Sequence, residues 1–254
     1  VLRAFTSPLT DRYMIKNQRQ EPERLEFFFS YGSDSLPKMK GLNFDADSAF
    51  IVDANPKKDT ITYWLRDTAL INRDSLEIEY SYHITDTLGQ LVPQTDTLLM
   101  VPKLPFEKRQ KMLEKEMEKW QKQQDKLKKK GERYDSVWLP KPLDIRVTAP
   151  SSLTPESYLY FTMPAPLARC DTSMIHLQAK VDTLWVPQKF DWQPRPQSIL
   201  SYRLEAVWTP GTEYQLEIDS AAFESIYGIV NDKMKSSLKC KSEEEFGTLV
   251  VKIS

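Results

Sequence analysis

Between residues 75 and 83 apolar and polar side chains alternate strictly: Leu76, Ile78, Tyr80 and Tyr82 fall on one side, Glu77, Glu79, Ser81 and His83 on the other. A repeat of two is the signature of a β-strand with one covered and one solvated face. Residues 60–66 repeat the pattern, and Leu25, Phe27, Phe28 and Phe29 form a run apolar enough to be partly covered on both faces. Breaks fall at Ser35-Leu36-Pro37, Asn55-Pro56 and Asp86-Thr87-Leu88-Gly89, where the residues favour turns.

From Pro105 to Tyr134 the pattern changes: Glu, Lys and Gln dominate, and no proline follows residue 105. Such residues favour helix. Phe106, Leu113, Met117, Trp120 and Leu127 are spaced seven, four, three and seven apart, which draws a thin apolar seam along one helix of about seven turns. Gly131 is expected to end it. With 11 basic and 6 acidic residues the segment carries +5, and it reads first as a solvated spacer, second as a helix that pairs with a partner.

Strand grammar returns after Lys141. Leu143, Ile145 and Val147 alternate, as do Ile175, Leu177, Ala179 and Val181, then Tyr202, Leu204, Ala206 and Trp208, then Tyr214, Leu216 and Ile218. Residues 248–253 are expected to close the set. Many short strands at spacings of about 8–15 residues predict antiparallel sandwiches rather than a parallel α/β sheet. The expected fold class is mainly β: two antiparallel sandwich domains, residues 1–104 and 141–254, joined by a charged α-helical segment at 105–134.

A length of 254 residues suits two domains. The formal charge of −1 gives no overall field favouring nucleic acid. Cys170 and Cys240 are too far apart in sequence for a metal knuckle; one disulfide and two separate buried thiols both remain open. No apolar run approaches the length of a membrane span, and the start Val1-Leu2-Arg3-Ala4-Phe5 lacks signal-peptide organisation. Without an initiating Met, the chain reads as a piece of a longer precursor.

Residues 208–218, Trp-Thr-Pro-Gly-Thr-Glu-Tyr-Gln-Leu-Glu-Ile, followed by Tyr227-Gly228-Ile229-Val230-Asn231-Asp232, resemble the bacterial Ig-like domains of envelope and surface proteins. Pro210-Gly211 suits a type II turn, with Pro fixing φ at its second position and Gly taking positive φ at its third. Residues 159–167, which end in a proline-rich kink, are similar to an early strand of that family, and Thr85–Leu91 contains a turn like its Asp-x-x-Gly. The resemblance implies an exported protein, often an outer-membrane lipoprotein of Gram-negative type, whose domains act as stalks, spacers or adhesive modules. It carries no catalytic residues.

Candidate chemistry is sparse. Seven glycines supply neither a phosphate-cradling loop nor a dinucleotide fingerprint, and no Gly-x-Ser-x-Gly or His-Glu-x-x-His occurs. His83 and His176 lie in the polar phase of their strands and are expected at the surface. Asp45 and Asp47 have the spacing of part of a calcium loop but lack its Gly and distal Glu, and Glu243-Glu244-Glu245 reads as a solvated loop. Trp64, in the polar phase of its strand, with Trp185 and Trp192, which flank residues 187–191, forms a candidate platform for stacking on sugar rings. The expectation is therefore a non-catalytic envelope or surface protein without cofactor or metal, acting as a structural spacer or adhesion module. A carbohydrate-binding or enzyme-accessory module is the alternative. Its partner is a protein or cell-surface polymer, not nucleic acid, and membrane attachment is expected only through a lipid anchor outside this chain.

Overall fold

The computed structural model describes residues 11–150 and 152–245. It is mainly β, with antiparallel sheets, and divides into two compact units, residues 1–139 and 140–254.

The first unit contains seven strands: β1 (Met14–Gln18), β2 (Arg24–Phe29), β3 (Lys38–Gly41), β4 (Phe50–Ala54), β5 (Thr60–Leu65), β6 (Leu76–Thr85) and β7 (Leu91–Met100). Their order is β1-β2-β5-β4 in one sheet and β3-β6-β7 in the other. Lettered along the chain this is A-B-E-D against C-F-G, the strand order of the immunoglobulin sandwich. The alternation read at residues 75–83 is the inward phase of β6, where Leu76, Ile78, Tyr80 and Tyr82 are buried. An aromatic stack joins the two sheets. Phe27 of β2 lies parallel to Tyr80 of β6 at 4.1 Å between ring centres, and Tyr63 of β5 meets Phe27 edge-on at 5.6 Å.

Two helices complete this unit. The short α1 (Thr68–Ile71) is capped by Asp67, which accepts from Ala69 N at 2.8 Å. The long α2 (Phe106–Lys130) begins where Asp74 accepts from Phe106 N at 2.6 Å and Arg109 donates to Ile71 O at 3.1 Å, so its first turn is fastened to the end of α1. Gly131 ends it at φ 72°, with Gly131 N bonded to Lys128 O and Glu132 N to Leu127 O. A left-handed residue there costs glycine least.

In the second unit β8 (Arg146–Thr148), β9 (Tyr158–Thr162), β13 (Phe190–Pro194) and β14 (Ser201–Ala206) pair in the order β13-β14-β9-β8. Facing them are β11 (Ile175–Val181), β12 (Leu184–Pro187), β15 (Glu213–Ile218) and β17 (Met234–Lys239), in the order β12-β11-β15-β17. Beyond the kink at Pro164 and Pro166, β10 (Leu167–Cys170) pairs instead with β16 (Phe223–Ser225). Lettered in the same way the large sheets read D-E-B-A and C′-C-F-G. One core of Leu159, Phe161, Leu204, Leu177, Leu216 and Trp208 serves both sheets. The strand expected at 248–253 lies outside the described residues.

The segment that carries the family resemblance forms a brace. Thr212 N bonds Thr209 O across Pro210-Gly211, with Gly211 at φ 74°. Tyr214, the second residue of β15, accepts from Thr209 N at 2.6 Å and donates to Val207 O at 3.4 Å through its hydroxyl. This is the tyrosine corner of immunoglobulin sandwiches, which pins the loop before strand F. Tyr214→Phe is expected to cost about 1–2 kcal/mol, because Thr209 N–H loses its acceptor while the ring packing survives. Urea unfolding of the second unit measures it, and an unchanged midpoint would show that the hydroxyl pins nothing.

Candidate functional site

The three tryptophans expected to form a platform do not do so. Trp64 is only 2% exposed, although it stands in the outward phase of β5. Arg24 of the neighbouring strand lies over its ring at 5.3 Å, so that face is not open. In the second unit Trp192 pairs across from Leu204 and points inward, stacked on Tyr202 at 5.4 Å and tilted against Phe161 at 4.6 Å. Trp185 is 39% exposed. The six residues between Trp185 and Trp192 carry the chain from one sheet to the other, which separates side chains that are close in sequence.

Trp185 sits on the edge strand β12, opposite Lys180 on the outer face of its sheet. That face is laced with charge. Lys180 Nζ meets Glu213 at 2.7 Å, Lys233 meets Glu217 at 2.5 Å and Asp219 at 3.4 Å, and His176 Nε2 lies 2.9 Å from Asp219 Oδ2. The carboxyls of Glu213, Glu217 and Asp219 are held below their ordinary range, chiefly by hydrogen bonds from Lys180, Lys233 and His176 respectively, and Lys233 is raised by the Glu217 contact.

These shifts set a pH dependence. A depressed carboxyl stabilises the fold above its unfolded pKa of about 4, and that contribution is lost as pH falls through the folded value. Lys233 acts at the opposite end: its contribution is present below its unfolded pKa and lost as pH rises through the raised one. The second unit should therefore melt at a steady temperature from about pH 6 to 9 and lose stability below about pH 4. Asp219→Asn should flatten the acid limb, as followed by thermal melts across pH. An unaltered limb would place the acid sensitivity elsewhere.

Both histidines are exposed, as their strand phase predicts. The cysteines are not bridged: Cys240 is buried and Cys170 is exposed. Burial pushes the Cys240 thiol up and partial desolvation the exposed Cys170, with the Trp192 N–H beside Cys170 acting the other way, so neither is shifted toward the thiolate. Asp45 accepts from Asp47 N at 2.9 Å in a local turn. Among the described residues no group of three or more His, Cys, Asp or Glu side chains is arranged to hold a metal ion.

One end of the first unit has a cleft of about 600 Å³ lined by Arg12, Tyr31, Asp34, Asp59 and Thr85 among others. Arg12 is 2% exposed and its guanidinium is engaged by the fold. It donates to His83 O at 3.1 Å and to Tyr31 O, and it lies 4.0 Å over the Phe29 ring. Asp59 in turn accepts from Asn55 at 2.6 Å and from the Thr60 hydroxyl. This cleft is knit by structural bonds and presents no cluster aimed at a reactant. Buried arginines satisfied by carbonyls have no pattern in the sequence that would announce them.

The surface with the strongest single chemistry is α2. Of its apolar seam, Phe106, Trp120 and Leu127 are half-buried, while Leu113 and Met117 are exposed. Gln124, at the same helical phase, is buried where the returning chain supplies Asp135 N to its Oε1 at 2.9 Å. The lysines of the helix are all exposed.

No protein-family model matches the chain, and no curated protein matches it. Among solved structures it is similar to a marsupial T cell receptor, 8% identical, with 93% of this chain and 100% of that chain covered, at a TM-score of 0.22. So loose a superposition adds nothing to the strand orders and the tyrosine corner described above.

Proposed function

We propose that this is a non-catalytic, exported protein of the cell envelope, in which two immunoglobulin-like sandwiches joined by a charged helical segment serve as a structural spacer or protein-interaction module. The observation that supports this reading is the tandem itself: the A-B-E-D and C-F-G strand order occurs twice in one chain. Each sandwich is locked by cross-sheet packing and, in the second, by the Tyr214 corner. Such a unit resists deformation and holds its end loops in fixed positions, which suits display rather than turnover. The likeness of residues 208–232 to bacterial Ig-like domains supports placement in the envelope. Its partner would be a protein or a surface polymer, and a lipid anchor outside this chain would tie it to the membrane.

Of the three candidate tryptophans only Trp185 is exposed enough to stack on a sugar ring, beside a charged sheet face, and one ring is a poor platform. Fractionation of the source cells with protease shaving tests the envelope reading. Recovery with the envelope and cleavage from outside the cytoplasm are expected; recovery in the cytosolic fraction would overturn it.

A further inference from the structure

Along α2, Lys108, Lys111, Lys115, Lys119, Lys122 and Lys126 follow one another at spacings of three, four, four, three and four, and Lys129 continues the series. At about 100° per residue these side chains occupy an arc of about 80°, and at about 1.5 Å per residue they run in a line for about 32 Å. All are exposed. Glu107, Glu114, Glu118 and Asp125 lie together on one flank of this ridge rather than within it. The helix as a whole has ten basic against five acidic residues, +5 in a chain whose formal charge is −1.

A helix that merely separates two domains gains from Glu and Lys alternating at i and i+4. Here lysine follows lysine at i+3 or i+4 down the whole ridge, and every such neighbour repels the next. Lys122 has a 3.8 Å contact with Glu118, but both side chains are largely exposed and the pair offsets little. Glu107, Glu118 and Asp125 stand four residues before Lys111, Lys122 and Lys129 and offset part of this repulsion; a negative partner that follows the ridge would offset the rest.

We propose that the lysine ridge of α2 binds a linear acidic polysaccharide, a chain with carboxylate or sulfate groups at regular intervals. A bilayer fits less well. A helix resting on a membrane buries its apolar side with cations at the edges of that side, whereas the centre of this ridge lies about 170° around the helix from the seam of Phe106, Leu113, Met117 and Trp120. Nucleic acid fits less well too, since the ridge has no arginine forks and no aromatic ring on which a base could stack. Ammonium groups act as point charges that accept carboxylate or sulfate without demanding bidentate geometry. Binding of this kind needs only α2, whichever compartment holds the chain.

The intact chain is titrated calorimetrically with a size-defined heparin oligosaccharide and with oligogalacturonate. Neutral dextran, a single-stranded oligothymidine and phosphatidylglycerol vesicles are run alongside. Both acidic sugars are expected to bind, dextran is not, and affinity should weaken by at least about tenfold between about 50 and 200 mM salt as counterions are released. Combined Lys115→Glu, Lys119→Glu and Lys122→Glu substitutions should weaken sugar binding by at least about tenfold. Lys→Gln at the same three positions should give a smaller loss with helix content, followed by circular dichroism, retained. Failure of both acidic sugars to bind, tighter binding to the oligonucleotide or vesicles, or affinity indifferent to the lysine substitutions would each overturn the assignment.

Discussion

Trp208→Ala is expected to remove about 3–5 kcal/mol from the second unit, the range for deleting a large aromatic from a packed core. Such a domain commonly has only about 5–15 kcal/mol in all. Trp208 is 1% exposed, meets Tyr214 edge-on at 4.9 Å, and donates from Nε1 to Ser157 O at 2.7 Å. It therefore links the turn before β9 to the corner before β15, two segments about fifty residues apart that belong to opposite sheets. Alanine leaves a cavity, strands the Ser157 carbonyl and removes the ring against which Tyr214 is placed. Trp208→Phe should cost less, since much of the volume stays and only the N–H is lost. Hydrogen exchange at the amides of β9 and β15 is the direct readout, because it reports this unit separately from the first. A loss below about 1 kcal/mol would mean that the core re-closes around the site and that the brace is not the organising contact.

The strands were legible where one face is covered and the other wet. Residues 75–83 became β6 and residues 213–218 became β15 because their alternation matches the pleat and their covered faces meet the core. Pro210-Gly211 was legible because its turn chemistry is local. Trp64 and Trp192 were not, for two different physical reasons. Trp64 does stand in the outward phase, but a neighbouring arginine lies over its ring, and period two cannot reveal what lies above a sheet. Trp192 is near Trp185 in sequence, yet the chain changes sheets between them, and only topology decides which way β13 faces. The helix at 106–130 and its glycine stop follow from composition and spacing, but its lysine ridge emerges only when the charges, as well as the apolar residues, are placed on the wheel.

Strand order carries an argument that sequence likeness does not. With no matching family model, the relation between the two units rests on their shared A-B-E-D and C-F-G pairing. They differ in detail: the first unit holds three strands in its second sheet and an aromatic stack at its centre, whereas the second adds β12 at the edge and the β10–β16 pair. The added strand β12 exposes Leu184, Trp185 and Val186 at a sheet edge, and Pro187 at its end limits further pairing.

Arg19→Ala should destabilise the first unit by about 3 kcal/mol or more, although arginine loss at a surface usually costs little. Arg19 is 3% exposed, and its guanidinium donates to Pro22 O at 2.9 and 3.2 Å, Arg73 O at 2.9 Å, Leu70 O at 3.1 Å and Ile71 O at 3.2 Å. Those carbonyls include the last ones of α1, which so short a helix leaves only weakly satisfied, Leu70 O by Arg73 N at 3.2 Å. Burial, reinforced by the positive charge of Arg109, pushes the Arg19 pKa down to about 10, so the group is still charged at neutral pH. Its charge is thus met by carbonyl dipoles instead of a carboxylate, and removing it takes a donor from four carbonyls at once, leaving Leu70 O to its backbone bond from Arg73 N and Ile71 O to that from Arg109. Arg109 also donates to Ile71 O, so the same change loosens the anchor of α2. Arg19→Lys should recover only part of the loss, because one ammonium cannot reach carbonyls spread around a planar fork. Urea unfolding of the two variants, with exchange measured at the amides of α1 and the first turn of α2, decides the matter: full rescue by lysine would show that charge alone, and not the fork, holds the junction.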